Sequence, residues 1–312
     1  MAELTVITGA FGYTGRYIAR RLLAMGKEVR TLTAHPGRHH PFAEAVSVFP
    51  LAFEDPAALV RSLRGATTLY NTYWIRFPLA DVTFDTAVAN TRVLIGAARE
   101  AGVRRIVHVS ITRADAGSRL PYFRGKGVVE DAIVRSGLSY AILRPTVIFG
   151  AEDILINNLA WLLRRFPIFA LPGSGEYRLQ PVFVEDVAEI AVRVAGQGEN
   201  VVLDVVGPET YTFRELVLLL AETVRSRARI IGVQPGLALF LSRLVGSLVR
   251  DVILTRDELE GLMASLLVSD RSPLGRTSLR LWLAENADRV GARYASELAR
   301  RGVRHALLRC RL

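Results

Sequence analysis

Leu4-Thr5-Val6-Ile7-Thr8-Gly9-Ala10-Phe11-Gly12-Tyr13-Thr14-Gly15 is the stretch that decides the fold. An apolar, β-branched run of strand character leads into three glycines spaced three apart, and an amphipathic helical pattern follows from Thr14 to Met25. The first glycine permits a tight turn and the second lets backbone approach a phosphate. The third lets the helix pack on the strand while its N-terminus faces the anion. The chemistry is anion binding by backbone N–H groups. Three glycines alone equally describe a structural turn, but with strand and helix on either side they read as the cradle of a dinucleotide-binding βαβ unit, made by Gly9, Ala10, Phe11, Gly12, Tyr13 and Gly15.

Working outward, strand patterns at Glu28–Thr33, Val46–Leu51, Thr68–Thr72, Arg105–Ser110 and Ser139–Leu143 alternate with helical ones at Pro56–Leu63, Phe84–Ala101 and Tyr122–Ser136. Gly26 and Gly102 stand just past helix ends, and Asp55-Pro56 supplies a cap and a first-turn proline. Repeated βα units predict an α/β fold, a doubly wound parallel Rossmann sheet over residues 1–150. After Gly150 the texture changes: a helix over 154–166, a loop from Pro167 to Gly175, short strands at Gln180–Val184 and Val201–Val205 around a helix at Asp186–Val194, then mostly helix from Thr212. The expected division is therefore a dinucleotide-binding domain of residues 1–150 to which 180–206 return, and a smaller, mostly helical lobe of 151–179 and 207–312 on the substrate side.

Composition narrows the partners. Apolar runs such as Leu216–Ala221 and Leu237–Leu241 are too short to span a bilayer, and no signal peptide precedes the first strand, so a cytoplasmic location is expected. The single cysteine, Cys310, excludes an internal disulfide, and the histidines lack metal-ligand spacing. A net charge of +10 is spread along the chain rather than gathered in a stripe, which argues against nucleic acid and suits an anionic cofactor. Of the 40 basic residues only Lys27 and Lys126 are lysine; where the chain otherwise writes positive charge as arginine, a lysine calls for a reason.

Tyr122-Phe123-Arg124-Gly125-Lys126 places a phenol and an ammonium four residues apart on one helix face. A nearby ammonium stabilises phenolate, which makes the pair a proton donor and acceptor. Arginine does not replace a compact, tunable ammonium in that role. Ser110 ends the preceding strand at the carboxyl edge, where open α/β sheets place ligands, and either polarises a carbonyl there or merely caps the strand.

The Gly9-x-x-Gly12-x-x-Gly15 spacing together with Ser110, Tyr122 and Lys126 resembles the extended and atypical branches of the short-chain dehydrogenase/reductase superfamily, which include epimerases and dehydratases. The resemblance implies that Tyr122 is the general acid/base, that Lys126 holds the nicotinamide ribose and depresses the tyrosine pKa, and that Ser110 orients the reacting oxygen. It further places Thr72 and Pro145, the latter in Leu143-Arg144-Pro145-Thr146-Val147-Ile148-Phe149-Gly150, beside the cofactor. Gln180–Ala188 resembles the family's returning segment, and Leu254–Leu262 resembles the subgroup that includes the NAD(P)-binding accessory subunit of respiratory complex I. Two departures matter. The second strand ends Thr31-Leu32-Thr33-Ala34-His35-Pro36-Gly37-Arg38 with no carboxylate to hold a ribose 2′-hydroxyl, so NAD or NADP is expected with a lean to NADP through Arg38 or His35. The third strand's end, Leu51-Ala52-Phe53-Glu54-Asp55, leaves adenine to rest on Phe53 or on backbone, with Asp55 read as a helix cap.

Substrate is expected near Tyr73, Trp74, Arg76, Asn157, Asn158 or Arg178, although Tyr73-Trp74 also reads as ordinary packing. Residues 235–250 read as a buried helix, with contact to a membrane surface or a hydrophobic ligand left open. The function expected is an NAD(P)-dependent oxidoreductase acting on a small-molecule carbonyl or carbinol. The competing readings are a sugar-nucleotide epimerase or dehydratase, and a non-catalytic NAD(P)-binding redox sensor or assembly factor.

Overall fold

The computed structural model describes residues 3–37 and 43–301 and divides into two units. Arg38 and Cys310 lie outside the described residues.

The first unit comprises Met1–Pro145 and Val184–Val205. Its elements are β1 (Leu4–Thr8), α1 (Tyr13–Ala24), β2 (Glu28–Thr33), β3 (Ser47–Pro50), α2 (Pro56–Leu63), β4 (Thr68–Asn71), α3 (Phe84–Glu100), β5 (Arg105–Val109), α4 (Pro121–Val134) and β6 (Ser139–Pro145), joined by the returning α6 (Val184–Ala195) and β11 (Val201–Val205). The strands form one parallel sheet in the order β11-β6-β5-β4-β1-β2-β3. The order reverses between β1 and β4, and at such a switch point the carboxyl strand ends open a crevice. Both faces are covered, which is why the strands read as nearly continuous apolar runs: Val6, Leu32, Leu69, Ile106 and Ile142 join one cluster with α2, α3 and α4, while Ile7, Val107 and Ala141, pointing the other way, are equally buried. The Asp55 carboxylate accepts from Ala58 N at 2.9 Å and caps α2. The returning strand is tied in by Arg105, whose guanidinium donates to the Glu199 carbonyl at 2.7 Å, and by the register Val205↔Pro145.

The second unit comprises Thr146–Phe183 and Val206–Leu312. Its strands are β7 (Ile148–Phe149), β8 (Ile168–Pro172), β9 (Arg178–Leu179), β10 (Val182–Phe183), β12 (Tyr211–Thr212) and β13 (Arg229–Val233). Its helices are α5 (Leu155–Arg165), α7 (Phe213–Thr223), α8 (Pro235–Val249), α9 (Arg256–Met263), α10 (Leu279–Glu285) and α11 (Glu297–Arg300). Phe149, Leu159, Leu171, Leu179, Leu216 and Leu283 centre its core. Where the sequence breaks were set at 150, 180 and 206, the units divide at Pro145, Val184 and Val205.

Two expectations need correction here. Pro167–Gly175, expected as a loop, contains β8, which pairs in parallel with β13 inside a stretch expected to be helical. β8 is a five-residue apolar run ending in proline and β13 is one broken by Gly232 and opened by Arg229, and each is completed only by a partner some sixty residues away, with Ile168 opposite Arg229. The helix over 235–250, expected to be buried, buries only Ala238 and Gly246 and leaves Leu237, Phe240, Leu244 and Leu248 exposed. Gly246 admits the chain that leaves the helix, because a Cβ there would stand 2.6 Å from the Asp251 carbonyl oxygen.

Candidate active site

The glycine turn follows β1 directly. Gly9 has φ +75°, a left-handed conformation that favours glycine, and its carbonyl accepts from Gly12 N at 2.8 Å. A Cβ on Gly15 would lie 2.1 Å from the Gly9 carbonyl oxygen, so only glycine lets α1 start this close to the strand. Ala10 N donates to Thr31 Oγ1 at 3.0 Å and pins the turn to β2. Gly12 is the N-cap of α1 and offers no side-chain cap, and the first turn holds no acid. First-turn N–H groups have no intrahelical acceptor, and the positive end of the helix dipole adds to them. The turn therefore fits a pyrophosphate, held by backbone rather than by side chains.

Around it, Thr72 Oγ1 donates to the Thr8 carbonyl, and Thr72 N donates back to Thr8 Oγ1 at 2.8 Å, locking β4 to β1 at the crevice. Phe53 is half-buried with its ring 4.9 Å from that of Tyr73. No carboxylate stands between Thr31 and Gly37, and His35 at the strand's end is exposed. Pro145 ends β6, its carbonyl accepting from Thr112 N at 2.9 Å.

Tyr122 and Lys126 lie one turn apart on α4 and meet the same residue, Trp74. The Lys126 ammonium sits 4.7 Å over the indole and donates to the Val109 carbonyl, at the end of β5, at 2.8 Å. The Tyr122 ring stands edge-on to Trp74 at 6.1 Å and to Phe84 at 5.8 Å. Lys126 is only 3 % exposed, and burial pulls its ammonium down to about 7 against the pull of Glu130, which favours the charge. Gly125 explains how the indole fits: a Cβ there would come within 2.9 Å of Trp74 Cη2.

Ser110 is buried, and its hydroxyl donates to the Glu130 carboxylate instead of standing open at the strand edge. Glu130 in turn receives Arg144, whose Nε lies 3.0 and 3.1 Å from its two oxygens and whose Nη2 completes the fork. At the end of β4, Asn71 accepts at Oδ1 from Thr8 Oγ1 and Tyr73 N, both at 3.1 Å, so its amide nitrogen donates to His108 Nδ1 on β5 at 3.1 Å. The imidazole proton then belongs on Nε2, which is buried and has no hydrogen-bond partner, as is the case for Trp74 Nε1. Burial, with the Lys126 charge added to it, holds His108 well below its ordinary pKa and therefore neutral.

Tyr122, Lys126 and Trp74 are thus brought together, while Ser110 is drawn to Glu130. Glu130, Arg144, Asn71 and His108 were not singled out from the sequence; the one available signal was Glu130 four residues after Lys126 on the same helix face. Asn157 and Asn158, expected as substrate contacts, are buried structural residues of the second unit. The Asn157 amide donates to the Gly150 carbonyl and to Asp153, and Asn158 exchanges hydrogen bonds with the backbone of Ala295. Among the described residues, no group of histidine, cysteine and acidic side chains is placed to hold a metal.

Known proteins resemble this chain in sequence and in fold. Residues 9–153 match the family described as NAD(P)H-binding. The chain is 24% identical over 289 residues to the NADH dehydrogenase (ubiquinone) 1 alpha subcomplex subunit 9 of Arabidopsis thaliana mitochondria, covering 86% of this chain and 72% of that one. It is 27% identical to a (4-alkanoyl-5-oxo-2,5-dihydrofuran-3-yl)methyl phosphate reductase of Streptomyces griseus, over 91% of this chain and 98% of that one. In fold it resembles the NADPH-dependent quinone oxidoreductase QOR2 of Escherichia coli, solved with NADPH, with a TM-score of 0.74 at 22% identity over 91% and 98% of the two chains. The chain therefore carries an NAD(P)-binding domain on a Rossmann-type α/β fold and is homologous to the mitochondrial alpha subcomplex subunit 9.

Proposed function

We propose that this protein is an NAD(P)-dependent oxidoreductase that moves hydride to or from a carbonyl or carbinol carbon, with Tyr122 carrying the proton. The observation that supports it most is the burial of Lys126 against Trp74, one turn after Tyr122, at the carboxyl end of β5. A bound nicotinamide supplies or takes up the hydride. In the reducing direction the Tyr122 hydroxyl gives its proton to the oxygen of the carbonyl being reduced; in the oxidising direction the phenolate takes it back. The Lys126 ammonium stabilises that phenolate and holds the ribose hydroxyls, which one compact cation does at once. The first-turn N–H groups of α1 hold the pyrophosphate. Ser110 orients the reacting oxygen only after its hydroxyl leaves Glu130, which makes it a conditional member of the site. With no carboxylate at the end of β2, a 2′-phosphate meets no repulsion there, and this favours NADP over NAD.

A second reading, a non-catalytic NAD(P)-binding subunit, draws on two observations: Ser110 is engaged by Glu130, and an indole covers Lys126. The likeness to a complex I subunit agrees with it. One experiment separates the two. Wild type and Tyr122→Phe are assayed for NADH and NADPH oxidation with ketones, quinones and sugar nucleotides, alongside thermal shift with all four nucleotides. The proposal expects turnover that falls about 100-fold or more in Tyr122→Phe while the thermal shift stays. Equal rates remove Tyr122 from the chemistry. A thermal shift without any turnover favours the non-catalytic reading, and no shift with any nucleotide removes the cofactor.

A further inference from the structure

On α8, Leu237, Phe240, Leu244 and Leu248 follow one another at intervals of three or four residues and so form one stripe on the helix. They are 47%, 55%, 54% and 74% exposed, whereas the buried Ala238 and Gly246 lie on the other side of the helix. Isolated exposed apolar residues need no explanation, but a contiguous stripe along a whole helix marks a surface that something covers.

The charge of the segment that carries the stripe says what kind of surface that is. From Val224 to Arg250 the chain holds Arg225, Arg227, Arg229, Arg243 and Arg250 and not one acidic residue, and all five arginines are exposed. Arg243 and Arg250 lie on α8 and at its C-cap, to one side of the stripe; Arg229 begins β13, whose neighbouring residue on β8, Ile168, is also exposed. A second copy of the chain docking symmetrically on this face would set arginines against arginines, which disfavours self-association through it. Among the described residues no helix is long and apolar enough to cross a membrane. A helix with an apolar stripe, a basic margin and no acid matches the requirements for lying in the interface of an anionic bilayer.

We infer that the second unit docks on anionic membrane surfaces through α8, with Leu237, Phe240, Leu244 and Leu248 in the headgroup–acyl boundary and the arginines on lipid phosphates. The test uses the full chain in flotation with phosphatidylcholine vesicles and with mixed phosphatidylcholine–phosphatidylglycerol vesicles. Wild type floats with the anionic vesicles at least about tenfold more than with the neutral ones, and this falls as salt rises from about 0.1 M to about 0.5 M. Phe240→Ser/Leu244→Ser/Leu248→Ser loses about tenfold in partitioning while its melting temperature and its thermal shift with NAD(P) stay as in wild type. Arg225→Gln/Arg227→Gln/Arg229→Gln loses the salt dependence. Three results overturn the inference: no partitioning of wild type, equal partitioning of the triple serine variant, or a wild-type dimer by light scattering that the serine variant turns into a monomer.

Discussion

Lys126 makes a prediction that needs no substrate. Its ammonium is 3 % exposed, and burial lowers its pKa from an ordinary 10.5 to about 7. Between those values the unfolded chain carries a proton on this lysine that the folded chain does not, so stability rises with pH across the window. At about 1.4 kcal/mol per pKa unit, the cost of burying this lysine is close to 5 kcal/mol well below pH 7, about 4 at pH 7 and about 1.5 at pH 9.5. Lys126→Met keeps a side chain of similar length without the charge and leaves the Val109 carbonyl without its donor, a loss of about 1 kcal/mol. The variant is therefore expected to be about 3 kcal/mol more stable than wild type at pH 7 and about equal to it at pH 9.5. Groups common to both proteins, among them Asp153 of the second unit, which burial raises to about 7, cancel in the difference between variant and wild type, while His108 is held neutral above its lowered pKa and the buried Tyr70 is pushed up, beyond the range tested. Urea titrations at both pH values, followed by Trp74 fluorescence in a Trp161→Phe/Trp282→Phe background, report on the first unit. Parallel wild-type and variant curves, with a constant gap from pH 7 to 9.5, would refute the buried, readily neutralised ammonium and with it the electrostatic part of the proposed site.

Other changes follow from the same geometry. Gly15→Ala forces a Cβ onto the Gly9 carbonyl and is expected to lower stability by about 1–3 kcal/mol and to abolish the thermal shift with NAD(P), measured by differential scanning fluorimetry. Glu130→Gln breaks the fork with Arg144, for a loss of about 3 kcal/mol at most in urea unfolding since the Arg144 side chain is 29% exposed. The same variant removes the neighbour that favours a charged Lys126, so the rise of stability with pH should extend to lower pH.

The parts of this molecule legible in its sequence are those set by local backbone geometry. Gly9, Gly12 and Gly15 carry their meaning within seven residues, and Tyr122 and Lys126 are paired by the pitch of one helix. β8 and β13 are not legible in the same way, because neither is a convincing strand until the other is beside it. The exposed stripe of α8 is hidden in the sequence for a related reason: an apolar helix reads as buried unless something shows that its other face is the one that packs. Gly125 read only as a spacer between tyrosine and lysine, yet in the structure it is the residue that admits Trp74 against α4. A glycine inside a helix costs about 1 kcal/mol relative to alanine, and the indole it seats is what both Tyr122 and Lys126 touch.

Lys27, the other lysine, shows what the bias against lysine does and does not establish. It makes a partly exposed ion pair with Glu3, a role arginine fills as well, so rarity alone does not mark a functional residue. Lys126 differs in its surroundings. Its charge is buried and held down toward neutrality, and Glu130, which opposes that shift, is the same carboxylate that holds the Ser110 hydroxyl and the Arg144 guanidinium. Tyr122, Lys126 and Glu130 stand at successive four-residue steps along α4, so one helix face carries the phenol, the ammonium and the acid that ties them to β5 and β6. Any event that frees Ser110 from Glu130 also changes the field on Lys126, which couples the hydroxyl expected to orient a substrate oxygen to the charge state of the residue expected to hold the ribose.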